Sequence, residues 1–482
     1  MKKIFLVWAG DKEETTRMIE ELRRNKCEVM YLWSDEKKDL EIPGVVYHNM
    51  VAMRRGISAL GINMNSFPPP GVALLEKLYK TESLVLTMMN RRVEYGGHVM
   101  VVDEKKRLYY DLVRYLQGIL NLFKPDAIVF PYFPHGPFPL ILYSLARLMR
   151  IPTILLWEAA CTSDRVLVSY RYDEISPLLA EALQRNRGKM FSVSDLNPDL
   201  QRFYNQQTGP EQDEVPFYVE SLKREIDDMK SVRAKIKMIL KSIRDGTFFI
   251  KIYDYIARRF KSDLRKEYLS VVTENPDFNK PFVYVTLHWQ PEGTTSPIGE
   301  MFVDQLLMIE TLSYALPEGW MLYVKEHPFQ WSMSGVVKYT NMRYEGYYKK
   351  IATLKNVILV PTNINSYHLI NASKAVVAVT GTSTYEAVFR NKPGIVFGYP
   401  WFKDVPGIFK VDGHDSCKEV LAEIKDGFTV DQGKILNYLK SFDEATFHAY
   451  IGPIGGREAV ISREESVKNV IHAILKELKK IV

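Results

Sequence analysis

Cysteine is scarce in this sequence, and its few occurrences show no pattern. The 482 residues include three cysteines, Cys27, Cys161 and Cys417, which lie far apart and form no Cys-x-x-Cys pair. This spacing indicates neither a structural zinc site nor a disulfide framework. A small number of unpaired cysteines is typical of a reducing compartment, so we expect a cytoplasmic protein.

Long apolar runs are also missing. No stretch reaches the roughly 18 uninterrupted apolar residues that a membrane-spanning helix needs. The opening run, MKKIFLVWAG, is shorter than the apolar region of a signal peptide and is followed directly by DKEE. We therefore interpret it as a first β-strand. The hydrophobic fraction of 46% and the aromatic fraction of 12% exclude a disordered chain.

The length exceeds that of one ordinary hydrophobic core and predicts two domains. Strand and helix patterns alternate in both halves, which predicts an α/β fold with two Rossmann-like domains at residues 1–204 and 271–430. We expect residues 205–270 to form a basic helical insertion, and residues 431–482 to form helices that pack back across the domains. The GxGxxG dinucleotide fingerprint is absent, which favours a ligand held between the two halves over bound NAD.

Positive charge is concentrated in one segment. The net charge of the chain is +6, yet residues 223–266 alone contain 14 Lys and Arg against 6 Asp and Glu. Apolar residues recur there at helical spacing, and a basic amphipathic helix with aromatic residues can lie on an anionic membrane surface. A solvated helical linker explains the pattern equally well. Nucleic acid is a weaker interpretation because no recognisable binding module accompanies the patch.

A turn rich in hydroxyl residues stands out in the second half. The stretch KAVVAVTGTSTYEAVFRNKPGIVFGYP predicts a buried strand at 375–379, a turn at 380–384, a helix that begins near Thr384 and a second strand at 394–397. Small hydroxyl residues at the N-terminus of a helix can bind an anion, most often a phosphate. The alternative is an ordinary helix cap, since Thr and Ser are common there.

Further polar residues follow other predicted strands. The run MLYVKEHPF places Lys325 and His327 after a strand, on the sheet edge where the hydroxyl turn is expected. In the first half, Glu158 and Asp164 follow the strand at 153–157, where a carboxylate could act as a general base or serve as a surface or capping group. His135 lies in the loop FPHGPFP and is either a loop hydrogen-bonder or an acceptor-side residue near the Glu158 strand.

At this point the residues resemble a known family. KEHP, TGTSTYEA and the succession NVILVPTN…LINASKAVVAVTGTSTYEAVFRNKPGIVFG are similar to the capsule polysaccharide biosynthesis family of GT-B glycosyltransferases, which includes capsule Kdo transferases. The resemblance is best over residues 280–402 and extends more weakly to residues 134–153. It implies two Rossmann-like domains that face each other across a cleft.

The resemblance also implies an activity: transfer of a sugar from a nucleotide-activated donor, such as CMP-Kdo or a related CMP-ulosonic acid, to a surface polysaccharide or glycan. The implied donor-binding residues are Gln290, Glu292, Lys325, His327, Gly381, Thr382, Ser383, Thr384 and Glu386. His327 would contact the donor phosphate, and Glu386 would reach the ribose. Glu158 is the implied base, with Asp164 as its substitute.

No cofactor or metal is expected beyond the donor. A helix N-terminus with His and Lys can stabilise a departing phosphate, and the sequence contains no Asp-x-Asp pair to hold a cation. The expected partners are the donor, a glycan or lipid-linked glycan acceptor, and an anionic membrane surface on the inner face of the cell membrane, without nucleic acid. Two alternatives stay open: a non-hydrolysing nucleotide-sugar epimerase, and a non-catalytic scaffold associated with glycan or membrane.

Overall fold

The computed structural model describes most of the chain and divides it into two compact units. The described residues are 1–8, 10, 12–34, 41–89, 100–159, 164–209, 231–244, 248–249, 252, 264–290, 293–331, 343–451 and 459–481. The first unit comprises residues 1–89, 100–203 and 436–482, and the second comprises residues 90–99 and 204–435. The carboxy-terminal residues from 436 onward thus belong to the amino-terminal unit.

The amino-terminal unit begins with alternating strands and helices. Its strands are β1 (Lys2–Trp8), β2 (Cys27–Ser34), β3 (Val46–Asn49), β4 (Ala127–Phe130), β5 (Thr153–Glu158) and β6 (Arg165–Ser169). Its helices are α1 (Lys12–Arg24), α2 (Met50–Arg54), α3 (Val72–Lys77), α4 (Tyr79–Met89), α5 (Val102–Phe123), α6 (Pro137–Leu148), α7 (Pro177–Arg185) and α8 (Pro198–Thr208). The predicted opening strand is confirmed as β1.

The elements after α8 complete both units. In the second unit they are α9 (Val232–Arg244), α10 (Leu264–Val271), β7 (Phe282–Thr286), α11 (Thr295–Ile298), α12 (Gln305–Ala315), β8 (Met321–Lys325), α13 (Tyr347–Ala352), β9 (Val357–Leu359), α14 (Ser366–Ala372), β10 (Ala375–Ala378), α15 (Thr382–Phe389), β11 (Gly394–Val396), β12 (Ile408–Lys410) and α16 (His414–Lys425). Helix α17 (Gln432–Ala445) then leads back to the first unit, which ends with β13 (Thr446–His448) and α18 (Arg463–Lys480).

The first sheet has seven strands in the order β13-β6-β5-β4-β1-β2-β3. The strands from β5 to β3 are parallel, whereas β6 pairs antiparallel with both β5 and β13. No strand is predicted for residues 165–169, so the antiparallel β6 is an addition to the predicted pattern. Strand β6 runs antiparallel to β5, with Val166 beside Glu158.

The carboxy-terminal helix covers one face of this sheet. Helix α18 begins at the cap residue Ser462, whose hydroxyl accepts a hydrogen bond from the backbone N–H of Glu465. Its buried stripe joins one cluster with residues of β1, β4 and β5. Arg463 donates two hydrogen bonds to the Glu14 carboxylate of α1, at 2.6 and 2.7 Å, and so ties the first turn of α18 to the first helix.

The second sheet has six parallel strands in the order β12-β11-β10-β7-β8-β9. Parallel strands need helical crossovers on both faces, and the residues of β10 are accordingly all buried. One hydrophobic cluster covers one face with α12 and α16, and a second covers the other with α14 and α15. Two Rossmann-like α/β domains are therefore confirmed.

Two details differ from the expected pattern. Helix α15 begins at Thr382, capped by Gly381, two residues earlier than predicted, so the hydroxyl residues form its first turn. The basic segment 223–266 lies largely outside the described residues, and α9 is the long helix described within it. In the described part of the chain, no helix combines the length and the apolar character needed to cross a bilayer.

The packing of α18 yields a stability prediction. Ile474 is fully buried in the core of the first unit, whereas Lys476 two residues later is exposed. We expect Ile474→Ala to lower the free energy of unfolding by about 2–5 kcal/mol, because a cavity replaces packed methyl groups. Lys476→Ala should change it by about 0.5 kcal/mol or less. Urea unfolding of the full chain measures both, and equal midpoints for the two variants would contradict the assigned packing.

Candidate functional site

Three central strands of the second sheet end at one edge. Strands β10, β7 and β8 are adjacent and parallel, with Val377 beside Val285 and Thr286 beside Lys325. Their carboxyl ends therefore bring the hydroxyl turn, the loop after Thr286 and the residues Lys325 to His327 to the same edge. Ligands of open parallel sheets bind at such edges.

The hydroxyl groups of the turn have different partners. Ser383 lies 2.8 Å from Thr286, hydroxyl to hydroxyl, and the Thr382 hydroxyl donates to Glu386 Oε1 at 3.2 Å. Thr384 is fully buried, and its hydroxyl donates to the carbonyl of Gly381. The side chains of Thr382 and Ser383 are partly exposed, so they are the two hydroxyls of this turn that a ligand can reach.

Glu386 lies one turn into α15. Loss of hydration raises the pKa of its carboxyl, and the hydrogen bond from Thr382 partly counteracts this shift. A raised pKa of a buried carboxyl group beside polar residues is typical of functional sites, and structural hydrogen-bond networks produce it as well. The expected contact with a ribose stays a prediction.

His288 is a residue at this edge that the sequence analysis did not single out. Its backbone N–H donates to Gln305 Oε1 at 2.7 Å, and its Nε2 accepts a hydrogen bond from the backbone N–H of Thr380 at 3.0 Å. The acceptor role means that the proton of the neutral ring is on Nδ1. The imidazole therefore holds the start of the hydroxyl turn. In the sequence, the signal that could have indicated His288 was its position two residues after the central strand β7.

Lys325 is buried at the end of β8. Its ammonium group donates to the Ile364 carbonyl and, at 2.9 Å, to the Ser366 hydroxyl. Burial lowers the pKa of Lys325 to about 8. The side chain thus joins the end of β8 to the N-terminus of α14, and its charge is sensitive to mildly alkaline pH.

Beside Lys325, a buried ion pair supports the edge. Glu326 has no exposed surface and accepts hydrogen bonds from Arg343 Nε at 2.9 Å, the Tyr348 hydroxyl at 2.7 Å and the His327 backbone N–H at 2.7 Å. Burial by itself would lower the pKa of Arg343, but the Glu326 carboxylate reverses this and the net shift is upward. Arg343 also donates to the His288 carbonyl at 3.0 Å.

His327 follows Glu326 and is partly exposed. Its Nδ1 accepts a hydrogen bond from the backbone N–H of Phe329 at 3.2 Å, so the proton of the neutral ring is on Nε2. An Nε2–H at this edge is a hydrogen-bond donor of the kind that binds a phosphate oxygen. The predicted position of His327 on the same edge as the hydroxyl turn agrees with the strand order, whereas its role stays a prediction.

Of the two predicted donor contacts Gln290 and Glu292, the structure describes Gln290. Gln290 is buried, donates to the Thr295 hydroxyl at 2.7 Å, and exchanges backbone-to-side-chain hydrogen bonds with Gln330. These contacts hold the loop after β7. Glu292 lies outside the described residues.

A cavity of about 690 Å³ opens at the carboxyl ends of the neighbouring strands β11 and β12. Its lining includes Phe302, Tyr314, Phe397, Tyr399 and Lys410. Gly398, between two of these residues, packs so closely on Thr380 that an added Cβ would come within 2.5 Å of the Thr380 methyl group. The chain between Phe397 and Tyr399 therefore packs on Thr380, while the cavity itself is lined by residues outside the hydroxyl turn.

In the amino-terminal unit, the predicted carboxylates Glu158 and Asp164 occupy opposite ends of the β5–β6 connection. Glu158 accepts a hydrogen bond from the backbone N–H of Ile451. Asp164 is buried, accepts one from the Val460 N–H at 3.2 Å, and lies 3.3 Å from His448 Nδ1. His448 is a further residue of this site that the sequence analysis missed.

His135 lies in the loop after β4, the strand next to β5. Its Nδ1 is 3.3 Å from the Phe133 carbonyl, and its ring packs against the rings of Tyr132 and Phe133. These contacts fit the interpretation as a loop hydrogen-bonder. Its predicted place on the acceptor side stays a prediction.

The ligand atoms of Asp164, Asp199 and His448 lie within 4.8 Å of one another, a spacing at which a metal ion could bind. Arg165 already donates to both Asp199 oxygens, at 2.5 and 3.0 Å, and pairs with Asp443 at 2.8 Å. A guanidinium that is always charged therefore supplies the positive charge there. The donor set does not fit a cation well.

Comparison with known families confirms the resemblance over part of the chain. Residues 295–420 match the family described as capsule polysaccharide biosynthesis protein. This segment contains the end of β8, the hydroxyl turn and the cavity, so the main elements of the candidate site lie within the matched residues. No curated protein matches the chain.

The solved structures that match the chain include glycosyltransferases and epimerases. The β-Kdo 2,7-transferase of KpsC from Thermosulfurimonas dismutans is 13% identical, with a TM-score of 0.32 and coverage of 75% of this chain and 89% of that one. The UDP-GlcNAc 2-epimerase from Neisseria meningitidis is 14% identical, with a TM-score of 0.23 and coverage of 99% and 100%. Such low scores support no functional argument, and the fold assignment rests on the parallel second sheet and the mainly parallel first sheet.

The buried pair beneath the site gives a second stability prediction. Glu326→Gln should lower the free energy of unfolding by about 3–5 kcal/mol, because it leaves the Arg343 charge buried without its counter-ion. The matched control is the surface pair of Lys350 and Glu310, 3.3 Å apart and partly exposed, where Glu310→Gln should cost about 1 kcal/mol or less. Urea unfolding measures both changes, and similar small losses in the two variants would disprove the assigned burial.

Proposed function

We propose that the chain is a glycosyltransferase that binds a nucleotide-sugar donor at the carboxyl edge of its second sheet. The single observation that supports this most directly is the position of the Thr382 and Ser383 hydroxyls in the first turn of α15, with His327 following β8 at the same edge of the sheet. A helix N-terminus with hydroxyl groups and an imidazole is suited to a phosphate. The family match over residues 295–420 supports a role in capsule polysaccharide synthesis.

The proposed chemistry requires stabilisation of a leaving phosphate. Negative charge builds on the phosphate as the bond to the sugar breaks, and fixed donors at the helix N-terminus reduce the cost of that charge. The Lys325 ammonium adds positive potential from beneath the edge while its pKa of about 8 keeps it mostly charged at neutral pH. This arrangement is our reason for proposing a reaction that needs no metal.

The donor sugar and the acceptor are proposed from the family match and the cavity. We propose that the cavity at the ends of β11 and β12 holds the sugar of the donor. We propose a CMP-activated ulosonic acid such as CMP-Kdo as the donor and a surface glycan or lipid-linked glycan as the acceptor. We propose that the acceptor binds to the amino-terminal domain.

A donor panel tests this proposal. Among CMP-, UDP- and GDP-sugars, we expect one class to raise the thermal unfolding temperature and to be consumed in the presence of a glycan acceptor. Ser383→Ala should weaken donor binding about 10- to 100-fold, the cost of one hydrogen bond to a charged group. The control Ser270→Ala alters an exposed serine on α10 and should leave binding unchanged.

Three outcomes of the donor panel would contradict the proposal. Interconversion of a free UDP-sugar without an acceptor would identify an epimerase. No protection and no turnover with any donor would favour a non-catalytic scaffold. Equal donor affinities for Ser383→Ala and the wild-type chain would remove the hydroxyl turn from the binding site.

We also propose that the protein is cytoplasmic and that α9 binds it peripherally to the inner face of the membrane. The helix VRAKIKMILKSIR carries five Lys and Arg and no acidic residue. Its apolar residues Val232, Ile236, Leu240 and Ile243 are spaced along one stripe and are 53–72% exposed. An apolar stripe on a basic helix is complementary to an anionic lipid surface.

Vesicle co-sedimentation tests the membrane proposal. The full chain should bind vesicles of anionic phosphatidylglycerol more strongly than vesicles of neutral phosphatidylcholine, and added salt should weaken binding. The double substitution Ile236→Asp and Leu240→Asp should reduce binding at least tenfold, because it places two charges in the apolar stripe. Leu269→Asp alters an exposed leucine of α10 and serves as the control. Equal binding by both variants would exclude α9 as the contact.

A further inference from the structure

The cavity of the second unit contains a lysine beside an aromatic ring. Lys410 is the last residue of β12, and its ammonium group lies 4.7 Å from the centre of the Tyr399 ring. It also donates a hydrogen bond to the Val411 carbonyl at 2.8 Å. Lys410 and Tyr399 both line the cavity, and both keep part of their surface exposed. A positive charge is therefore fixed at the cavity wall, where a ligand can reach it.

Two other lysines near this edge of the sheet are bound to groups of the protein. Lys325 donates to the Ser366 hydroxyl at 2.9 Å, on the far side of the hydroxyl turn from β12. Lys403 pairs with the Asp404 carboxylate at 2.5 Å. Neither of these lysines lines the cavity. Lys410 is therefore the lysine placed to meet an anionic group inside it.

The rest of the lining has the chemistry of a sugar site. Phe302 and Tyr314 present ring surfaces against which the C–H groups of a sugar can pack. Glu300 and Asp412 supply carboxylate oxygens, which accept hydrogen bonds from hydroxyl groups. The volume of about 690 Å³ lies within the range of small-molecule sites. Apolar walls, hydrogen-bond acceptors and one ammonium group together suit a sugar that carries an acidic group.

Glu300 has a strained backbone in this wall. Its φ is 49°, in the left-handed region that residues other than glycine rarely adopt. The preceding Gly299 packs so closely that an added Cβ would come within 2.5 Å of the Val379 side chain. The backbone N–H of Tyr399 donates to the Ile298 carbonyl at 2.7 Å. Strain of this kind persists where surrounding contacts fix it, and it is concentrated at ligand sites. The wall is therefore formed before a ligand binds.

Lys410 lies within reach of the hydroxyl turn. Strands β10, β11 and β12 are adjacent and parallel, and Ala378, Val396 and Lys410 are level with one another across them. Neighbouring strands are about 4.8 Å apart, so β12 lies about 10 Å from β10. The four-carbon stem of a lysine carries the ammonium group about 6 Å from the backbone. The remaining gap of about 4 Å is small enough for one ligand to bridge with two neighbouring anionic groups.

We infer that Lys410 binds the carboxylate of the donor sugar and thereby selects an ulosonic acid over a neutral sugar. The anomeric carbon of an ulosonic acid carries both the carboxylate and the oxygen that is bound to the phosphate, so the two anionic groups stay close together. A phosphate at the hydroxyl turn then directs the carboxylate towards β12. This inference rests on the proposed function and adds the residue that recognises the class of sugar.

Equilibrium binding of CMP-Kdo and of CMP tests the role of Lys410. CMP shares the nucleotide and the phosphate with CMP-Kdo but has no sugar carboxylate. Lys410→Met should weaken binding of CMP-Kdo about 10- to 100-fold, the cost of a hydrogen bond between charged groups, and should leave CMP binding unchanged. Lys410→Arg keeps the positive charge and should lose less affinity for CMP-Kdo than Lys410→Met. The control Lys418→Met alters an exposed lysine of α16 and should change neither affinity.

The outcomes separate this inference from the proposed function. Unchanged CMP-Kdo affinity in Lys410→Met would overturn the role of Lys410 and leave the glycosyltransferase proposal standing. An equal loss of CMP and CMP-Kdo binding would also overturn it, because the lysine would then act on the nucleotide or on the fold. A chain that transfers sugar from a UDP- or GDP-sugar and does not bind CMP-Kdo would overturn the ulosonic donor together with the role of Lys410. A chain that binds no CMP-Kdo and transfers no sugar from any donor would overturn both proposals.

Discussion

The buried carboxylate of Glu326 is the constraint on which the second sheet edge depends. An isolated ion without exposed surface costs several kcal/mol in lost hydration, so its partners must lie in fixed positions. Arg343 and Tyr348 supply three hydrogen bonds from side chains, and the His327 backbone supplies a fourth. The charge therefore determines the backbone path at the end of β8.

From this carboxylate, hydrogen bonds lead across the sheet to the hydroxyl turn. Arg343 also binds the His288 carbonyl, and the His288 ring binds the Thr380 N–H. Thr286 contacts Ser383 through its hydroxyl on the same edge. Hydrogen bonds from the neighbouring strands and loops, in addition to the short helix α15, therefore fix the candidate phosphate site. Preorganised donors of this kind need no rearrangement when charge develops on a ligand.

Much of the second sheet could be predicted because its signals are local. The apolar run of β10, the hydroxyl residues and the apolar run of β11 follow one another in a single stretch, and parallel pairing then places KEHP on the same edge. The partners of these residues could not be predicted. Glu326 and Arg343 are 17 positions apart in the sequence, and the burial of Thr384 depends on packing that no short motif encodes.

The first sheet shows the larger limit of prediction from sequence. Asp164 and His448 are separated by 284 positions, and they meet because residues after α17 return as β13 beside β6. Antiparallel β6 leaves its outer edge open, and β13 covers it, which protects a strand edge that would otherwise bind another chain. The same pairing brings an imidazole to the carboxyl edge of the sheet. The edge of the first sheet and the contact between Asp164 and His448 therefore depend on the same strand pairing, which the spacing of residues along the chain does not indicate.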